Sequence, residues 1–174
     1  AKQGYVALCV DLFNGSVTDH PDEARKQTEN VDPEATRQTG TAWIDWLRQQ
    51  DFVKGGVGTL GWCFGGGWSL RTSAATSVDA TVVYYGNVDL PSDQLAALKG
   101  PVLGHFARND QWINTDMVAR FSWAMQDANK DLTVHWYDAD HAFANPTGGH
   151  YDKEDAATAW QRTLGFFKKN VGQE

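Results

Sequence analysis

The residues with the clearest chemical signature form a Gly-x-Cys-x-Gly pattern around Cys63, within the stretch GTLGWCFGGGWS. An apolar run of strand length precedes this cysteine, and a helix-like segment follows it. On a sharp turn from strand to helix, the central side chain projects beyond the sheet, and glycines such as Gly61 and Gly65 avoid collisions. The N–H groups and dipole of the helix N-terminus favour a thiolate there. The pattern therefore predicts that Cys63 is a nucleophile.

A nucleophile on such a turn needs a base and an acid that orients the base, in the chain order nucleophile, acid, histidine. Both partners should come directly after later strands. Asp110 follows the strand-like run PVLGHFA, and His141 follows the strand-like run LTVHWYDA. An aspartate after a strand is usually a turn residue, so the joint placement in the expected order carries the prediction. We therefore predict that Asp110 is the acid and His141 the base.

Three neighbouring residues are the alternatives for these roles. His150 lies in the loop PTGGHY and is the alternative base, while Asp138 and Asp140 are alternative acids. A carboxylate next to the base in sequence generally cannot reach its Nδ1, which favours Asp110. These three residues and His141 could also hold a metal ion, but they lack the regular spacing of a ligand set. We therefore predict no metal.

The elements that must position these residues alternate along the chain. Runs of strand length cover residues 5–10, 57–62, 80–86, 101–107 and 132–139, and helical spacing covers residues 33–50, 64–75, 92–98, 115–129 and 152–170. The polar segment 14–30 predicts a surface excursion with one short charged helix. The first strands are apolar on both faces, as in a parallel sheet covered by helices. The pattern predicts a three-layer α/β fold with a mainly parallel sheet of about five strands.

Composition limits the classes of protein that are compatible with this chain. The 174 residues, 41% of them hydrophobic, predict one domain spanning residues 1–174. A formal charge of −7 without basic clusters argues against nucleic acid or an anionic membrane as a partner. No apolar run approaches the roughly 20 residues of a membrane span. The two cysteines are predicted to be reduced, and a cytoplasmic location is expected.

Four sequence stretches, which together span most of the chain, resemble parts of one known family. The stretches GWCFGG, GHFARNDQWI and VHWYDADHAFANP resemble the dienelactone hydrolase family of α/β-hydrolases, and GYVALCVDLF resembles the strand that shortly precedes the family's nucleophile turn. The resemblance implies an α/β-hydrolase-like fold with Cys63, Asp110 and His141 as the triad. It also implies hydrolysis of a lactone or small carboxylic ester through a thioester acyl-enzyme, without metal or organic cofactor.

Two departures from the family pattern concern the substrate and the base. Family members that act on dienelactone carry two arginines for its carboxylate, and residues 14–16 and Asn145 stand at those places here. An anionic lactone would lose its bidentate partner, whereas a neutral ester would lose nothing. Asp140 replaces the glycine that usually precedes the family's histidine, which adds a charge beside the base. We therefore expect neutral small esters as substrates.

The oxyanion donors form a third point of difference. The backbone N–H of Phe64, which follows the nucleophile, is one natural donor. The resemblance implies further N-terminal strands, a loop with the second donor and a glutamate near the cysteine, and we expect none of these within residues 1–174. We expect either pairing of residues 5–10 with 57–61, with Leu12 or Phe13 as second donor, or a homodimer that covers the gap. The homodimer is preferred because strand exchange satisfies such an edge at low cost.

Aromatic residues flank the predicted triad. Trp62, Trp112 and Phe143 could form the wall of an apolar acyl pocket and, with Asn145, are the predicted substrate-binding residues. A small-molecule ester or lactone is thus the expected partner. The alternative function is a catalytically silent α/β-hydrolase-like binding or interaction domain. Loss of a second oxyanion donor would remove about 2.7–4 kcal/mol of transition-state stabilisation, which is the basis for that alternative.

Overall fold

The computed structural model describes residues 2–172, which divide after Lys54 into two compact units. The first unit contains two helices, α1 (Pro21–Glu29) and α2 (Pro33–Arg48). Helix α2 begins where Pro33 fits the first turn and the Asp32 side chain accepts hydrogen bonds from the N–H groups of Glu34 and Ala35. The predicted short charged helix in segment 14–30 is confirmed as α1.

Residues 5–10 form no strand, so this part of the prediction is wrong. An apolar run becomes a strand only when a neighbouring strand satisfies its backbone N–H and C=O groups. The sheet of the described chain consists of four strands that all come later in the sequence. Cys9, which lies in this run, is exposed.

The second unit alternates strands and helices as predicted. Its four strands pair in parallel in the order β1-β2-β3-β4, which confirms the α/β fold class with one strand fewer than expected. The elements are β1 (Gly58–Trp62), α3 (Phe64–Ala75), β2 (Ala80–Tyr84), α4 (Ser92–Leu95), β3 (Val102–Ala107), α5 (Thr115–Asp127), β4 (Leu132–Tyr137) and α6 (Lys153–Asn170).

Helices cover both faces of this sheet and give the unit three layers. On one face, Val83 and Phe106 pack against apolar residues of α3, α4 and α5, including Leu70 and Phe121. On the other face, the side chains of Val82 and Leu103 pack with apolar residues of α6. Strands β2 and β3 are buried throughout, which explains why their sequences are apolar on both faces.

The register brings the ends of the four strands to one edge. Trp62 pairs with Tyr84, Tyr84 with His105, and His105 with His135. In a parallel sheet, the residues that follow these positions emerge at the same carboxyl edge, where open α/β sheets bind ligands. Cys63 and the loops after β3 and β4 therefore lie at this edge.

A buried polar network attaches α6 to the sheet beneath that edge. The hydroxyl of Thr163 lies 2.7 Å from the Tyr84 hydroxyl and 3.1 Å from His105 Nε2, and His105 Nδ1 lies 2.8 Å from the Tyr137 hydroxyl. Burial, together with His135 and Arg162, lowers the pKa of His105 to about 3, so this imidazole is neutral. The network anchors α6 without using the residues of the predicted triad.

The structure bears on two expectations, one about a membrane and one about a homodimer. Within residues 2–172, no helix is both long and apolar enough to cross a membrane. Strand β1 stands at one end of the strand order, with β2 as its partner. The preferred homodimer, which would cover that edge, stays a prediction, to be checked by size-exclusion chromatography with light scattering.

Candidate active site

Cys63 occupies the junction between β1 and α3. Its backbone has φ 52° and ψ −119°, a conformation that non-glycine residues rarely adopt. Its N–H donates to the carbonyl of Tyr84 at 3.0 Å, and its own carbonyl accepts from the N–H groups of Gly66 and Gly67. The surrounding hydrogen bonds thus hold the strained residue in place, and its thiol is exposed.

The glycines around this turn have different functions. A Cβ atom on Gly61 would lie 1.9 Å from the carbonyl oxygen of Gly65, so a side chain at position 61 requires the backbone of the turn to shift. A Cβ atom on Gly65 itself would meet nothing within 4 Å, so the expected collision at position 65 is wrong. Close approach instead involves Gly66 and Gly86, because a Cβ on Gly86 would lie 2.5 Å from the carbonyl carbon of Gly66. These contacts seat α3 against the end of β2.

The structure brings the three side chains predicted as nucleophile, acid and base into one hydrogen-bonded chain. His141 Nδ1 lies 2.6 Å from Asp110 Oδ2, and His141 Nε2 lies 3.1 Å from Cys63 Sγ. The Asp110 carboxylate is fully buried, the imidazole is 17% exposed, and the thiol faces solvent. This order of burial is suited to a nucleophile that a substrate can reach and an acid that it cannot.

Asp110 is held by the loop that follows β3. Its Oδ1 accepts hydrogen bonds from the N–H groups of Trp112 at 2.9 Å and Ile113 at 3.0 Å, which leaves Oδ2 for His141. The Asn109 N–H donates to the carbonyl of Ala139 and thereby joins this loop to the one that carries His141. Burial would raise the pKa of Asp110, but the hydrogen bonds from His141 and the two backbone N–H groups outweigh it and lower that pKa.

The electrostatics of the other two groups favour an ion pair. Burial opposes charge on His141, yet hydrogen bonds to Asp110 and Cys63 outweigh it and raise its pKa to about 9. The hydrogen bond from His141 lowers the pKa of the Cys63 thiol, although partial removal of the sulfur from water acts in the opposite direction. The two shifts act together, because each favours a proton on the imidazole and a negative charge on the sulfur.

The alternative base and the two alternative acids bind other partners. His150 Nδ1 lies 2.9 Å from Asp140 Oδ2, and Arg108 Nε lies 3.3 Å from Asp138 Oδ1. Asp138, Asp140 and His150 thus form exposed pairs that are separate from the chain through His141. Among the side chains that the structure describes, no three acidic, cysteine or histidine groups are placed to hold a metal ion.

The predicted oxyanion donors lie in both units. The N–H of Phe64 contacts the Cys63 sulfur, where it contributes to the lowered pKa of the thiol. In the first unit, the N–H of Phe13 donates to Asp11 Oδ1 at 2.8 Å, so it is already occupied in this conformation. The second donor, Leu12 or Phe13, stays a prediction.

The predicted substrate-binding residues differ in exposure. Trp62 is 43% exposed and Trp112 is 71% exposed, and the Trp112 ring lies edge-on to His141 with centroids 5.2 Å apart. Phe143 is fully buried and packs against Tyr137, so the prediction that it forms a pocket wall is wrong: an aromatic ring in this core has no surface for a ligand. Asn145 is exposed, and its side-chain oxygen accepts from the Thr147 N–H and hydroxyl.

Tyr85 is a site residue that the sequence patterns did not indicate. It follows β2 directly, has a φ of 35°, and places its ring 5.1 Å from that of His141. The available signal was its position, since it precedes Gly86 at the end of a buried strand in a parallel sheet. Ala142, next to His141, also has a positive φ of 66°, so strained residues flank the site.

Comparison with known proteins gives the same family at the level of sequence and of structure. The model of the dienelactone hydrolase family matches residues 1–171. A carboxymethylenebutenolidase from Pseudomonas putida is 31% identical over 175 residues, covering 94% of this chain and 74% of that protein. Another, from Pseudomonas sp. (strain P51), is 28% identical over 179 residues, covering 97% and 75%. A crystal structure from Klebsiella pneumoniae, of a protein assigned as a dienelactone hydrolase, has a TM-score of 0.74 at 25% identity, covering 88% and 68%.

Proposed function

Because this chain belongs to the dienelactone hydrolase family and is a hydrolase of the lactone and ester type, we propose that it works through Cys63, His141 and Asp110. The observation that supports this proposal is the continuous hydrogen-bonded chain from a buried carboxylate through an imidazole to an exposed thiol. It lies at the carboxyl edge of a parallel sheet, where this architecture binds its ligands.

Acylation begins with the thiolate of Cys63 attacking the carbonyl carbon of the ester. A C–S bond forms, the carbonyl π electrons move to oxygen, and the Phe64 N–H transfers its hydrogen bond from sulfur to that oxyanion. When the carbonyl re-forms, the C–O bond to the leaving group breaks, and the imidazolium Nε2–H of His141 protonates the leaving alkoxide. The products of this half-reaction are a free alcohol and a thioester on Cys63.

Deacylation reverses the roles of the imidazole. Neutral His141 takes a proton from a water molecule whose oxygen attacks the thioester carbonyl. A C–O bond forms, the C–S bond breaks, and the electron pair returns to Cys63 as thiolate beside the regenerated imidazolium. Asp110 keeps Nδ1 protonated and oriented in both halves, at a distance of 2.6 Å. The net reaction consumes one water molecule and yields an acid and an alcohol.

Neutral, short-chain esters are the proposed substrate class. Asn145 stands where the family's dienelactone-hydrolysing members place an arginine, and it offers no positive charge. Arg108, which follows β3, is paired with Asp138 and lies over the Trp136 ring, so both contacts already engage its guanidinium. Exposed Trp62 and Trp112 instead provide apolar surface for an acyl or alcohol group.

The test compares turnover of p-nitrophenyl butyrate by the parent protein, Cys63→Ala, His141→Ala and the double variant. We expect each to lose nearly the same factor, on the order of 10³ or more, because members of one catalytic unit are not additive. Cys9→Ala and His150→Ala are matched controls, since both residues are exposed and of the same types.

Three outcomes would contradict the proposal. Full activity of Cys63→Ala would exclude the thioester, and loss of turnover in His150→Ala alone would transfer the base to that residue. No turnover by the parent protein with any ester or lactone would favour a catalytically silent binding domain. Intact mass spectrometry during turnover should also detect the acyl group on Cys63.

A further inference from the structure

Tyr85 has a conformation that needs an explanation. A φ of 35° is rare for a residue with a large side chain, and such strain persists only where the surroundings enforce it. The Tyr85 N–H donates to the His105 carbonyl at 2.8 Å, which continues the pairing of β2 with β3 by one residue. The ring is 2% exposed. The strained backbone therefore directs a large buried ring toward the loop after β4.

The contacts of that ring concentrate on the segment that carries the base. Its centroid lies 5.1 Å from the His141 ring at an interplanar angle of 61°, and 5.3 Å from the Phe143 ring at 69°. Its hydroxyl is hydrogen-bonded to the backbone of Ala144. One side chain thus contacts three of the four residues from His141 to Ala144, a turn in which Ala142 has a positive φ.

We propose that Tyr85 is a positioning residue that holds the His141 imidazole in line with the Cys63 sulfur. This inference deepens the proposed function and depends on it for the catalytic consequence. Asp110 fixes one end of the imidazole through Nδ1, and the exposed Trp112 ring packs edge-on against it, but these two contacts leave the imidazole room to tilt about Nδ1. The edge-to-face contact of Tyr85 restricts this tilt, and the hydroxyl bond to Ala144 restrains the loop beneath it.

Tyr85 acts through His141 and transfers no proton itself. Burial raises the pKa of its phenol, and the nearby Cys63 charge raises it further, so the hydroxyl stays neutral throughout the working range. Removing the ring should therefore loosen the contact between His141 and Cys63 without removing an acid or a base. Because that contact lowers the pKa of the thiol, the pKa of Cys63 should rise toward its ordinary value.

The adjacent Tyr84 provides a matched control. It is also buried, at 1% exposure, but its hydroxyl contacts Thr163 of α6 and not the loop of His141. Tyr84→Phe and Tyr85→Phe each remove one buried hydroxyl from neighbouring positions. A loss of general stability should appear in both variants, whereas a loss of positioning should appear only in the second.

The experiment measures kcat and KM for p-nitrophenyl butyrate and, independently of turnover, the pH dependence of Cys63 alkylation by iodoacetamide. For Tyr85→Leu we expect kcat to fall by about 10- to 100-fold with KM within about twofold, and the alkylation midpoint to rise toward about 8.5. Tyr85→Phe should lose about fivefold in kcat, the equivalent of one hydrogen bond. Tyr84→Phe should change neither quantity.

The outcomes separate this inference from the proposed function. Unchanged kcat and an unchanged alkylation profile in Tyr85→Phe and Tyr85→Leu would overturn the positioning function, even if the melting temperature fell. If Tyr85→Leu does not fold, as judged by circular dichroism, the comparison of the two phenylalanine variants decides the question. A shifted alkylation profile in Tyr85→Leu, together with full activity of Cys63→Ala, would support positioning and contradict the thioester mechanism.

Discussion

The Nε2 atom of His141 lies 3.1 Å from the Sγ atom of Cys63, although 78 residues separate the two in the chain. The parallel register of β1 to β4 makes this contact, because it delivers both strand ends to one edge of the sheet. The contact also couples their charges, since a hydrogen bond between them lowers the pKa of the thiol and raises that of the imidazole. Reactivity at Cys63 should therefore depend on His141 more than on exposure.

Alkylation of the two cysteines tests this dependence directly. Both Cys9 and Cys63 are exposed, so accessibility alone predicts equal labelling. We expect iodoacetamide to label Cys63 at least about tenfold faster at pH 7, because only Cys63 has a hydrogen bond that favours thiolate. Peptide mass spectrometry over time gives both rates.

The control for this measurement is His141→Ala, in which the rate at Cys63 should fall to that at Cys9. His150→Ala, which changes an exposed histidine paired with Asp140, should leave the ratio unchanged. Equal labelling of the two cysteines in the parent protein would contradict the ion pair.

The pH profile of kcat/KM should have two limbs. On the acid side, activity should fall as the Cys63 thiolate, whose pKa is lowered, becomes protonated. On the alkaline side it should fall near pH 9, where His141 loses the proton that the leaving group needs. The raised pKa of His141 also contributes stability that is fully present below pH 6.5 and lost as the pH rises through about 9. An alkaline limb centred near pH 6.5 would show that Asp110 and Cys63 do not raise the pKa of His141.

Asp110→Asn should lower kcat by about 10³- to 10⁴-fold, because an amide cannot hold His141 in the tautomer with Nδ1 protonated toward it. The fold should be retained, since the amide oxygen can still accept from the N–H groups of Trp112 and Ile113. Asp138→Asn is the matched control, because this carboxylate is 90% exposed and is paired with Arg108. Its activity should equal that of the parent. A loss of less than tenfold in Asp110→Asn would assign the acid to another residue.

The sequence was sufficient for those parts of the fold that depend on local patterns. Helix α3 was predicted at Phe64 because the glycines and the preceding apolar run mark the turn, and β2 and β3 because fully buried strands are continuously apolar. Residues 5–10 have the same apolar character but form no strand. Whether such a run becomes a strand depends on a partner elsewhere in the chain, and a local pattern carries no information about that partner.

The candidate site was also predictable only where it depends on local patterns in the sequence. Cys63, Asp110 and His141 each follow a different strand of the sheet, which predicted that they would lie close together, because parallel strands end at one edge. Phe143 and Tyr85 could not be assigned correctly, since their location depends on how the loop after β4 folds back over β2. That geometry depends on positive φ values at Tyr85 and Ala142, for which neither residue type gives a signal.

A pair of glycine substitutions tests the geometry of the nucleophile turn. Gly61→Ala places a Cβ 1.9 Å from the Gly65 carbonyl, and we expect a loss of about 1–3 kcal/mol in the free energy of unfolding. Gly65→Ala meets nothing within 4 Å and lies inside α3, so it should be neutral or stabilising by up to about 1 kcal/mol. Urea unfolding of both variants measures the difference. Equal destabilisation by the two would show that the turn has a different geometry.

Charge at position 145 should determine whether the site prefers neutral or anionic substrates. Asn145 is exposed and lies four residues after His141, where it contributes no charge. The parent protein should therefore have a higher kcat/KM for p-nitrophenyl butyrate than for a carboxylate-bearing ester or dienelactone. Asn145→Arg should raise kcat/KM for the anionic substrate by about tenfold, because guanidinium binds carboxylate through two charge-assisted hydrogen bonds.

Asn145→Leu is the control for this substitution, since it also removes the side-chain oxygen that accepts from Thr147 but adds no charge. Asn145→Leu should lower kcat/KM for both substrates by the same factor, because the turn that Asn145 forms with Thr147 loses its hydrogen bonds. A gain for the anionic ester in Asn145→Leu equal to that in Asn145→Arg would show that the turn, and not the charge, controls the preference. A parent protein that already has the higher kcat/KM for dienelactone would contradict the neutral-ester proposal, because a cationic side chain elsewhere in the chain must then bind the carboxylate.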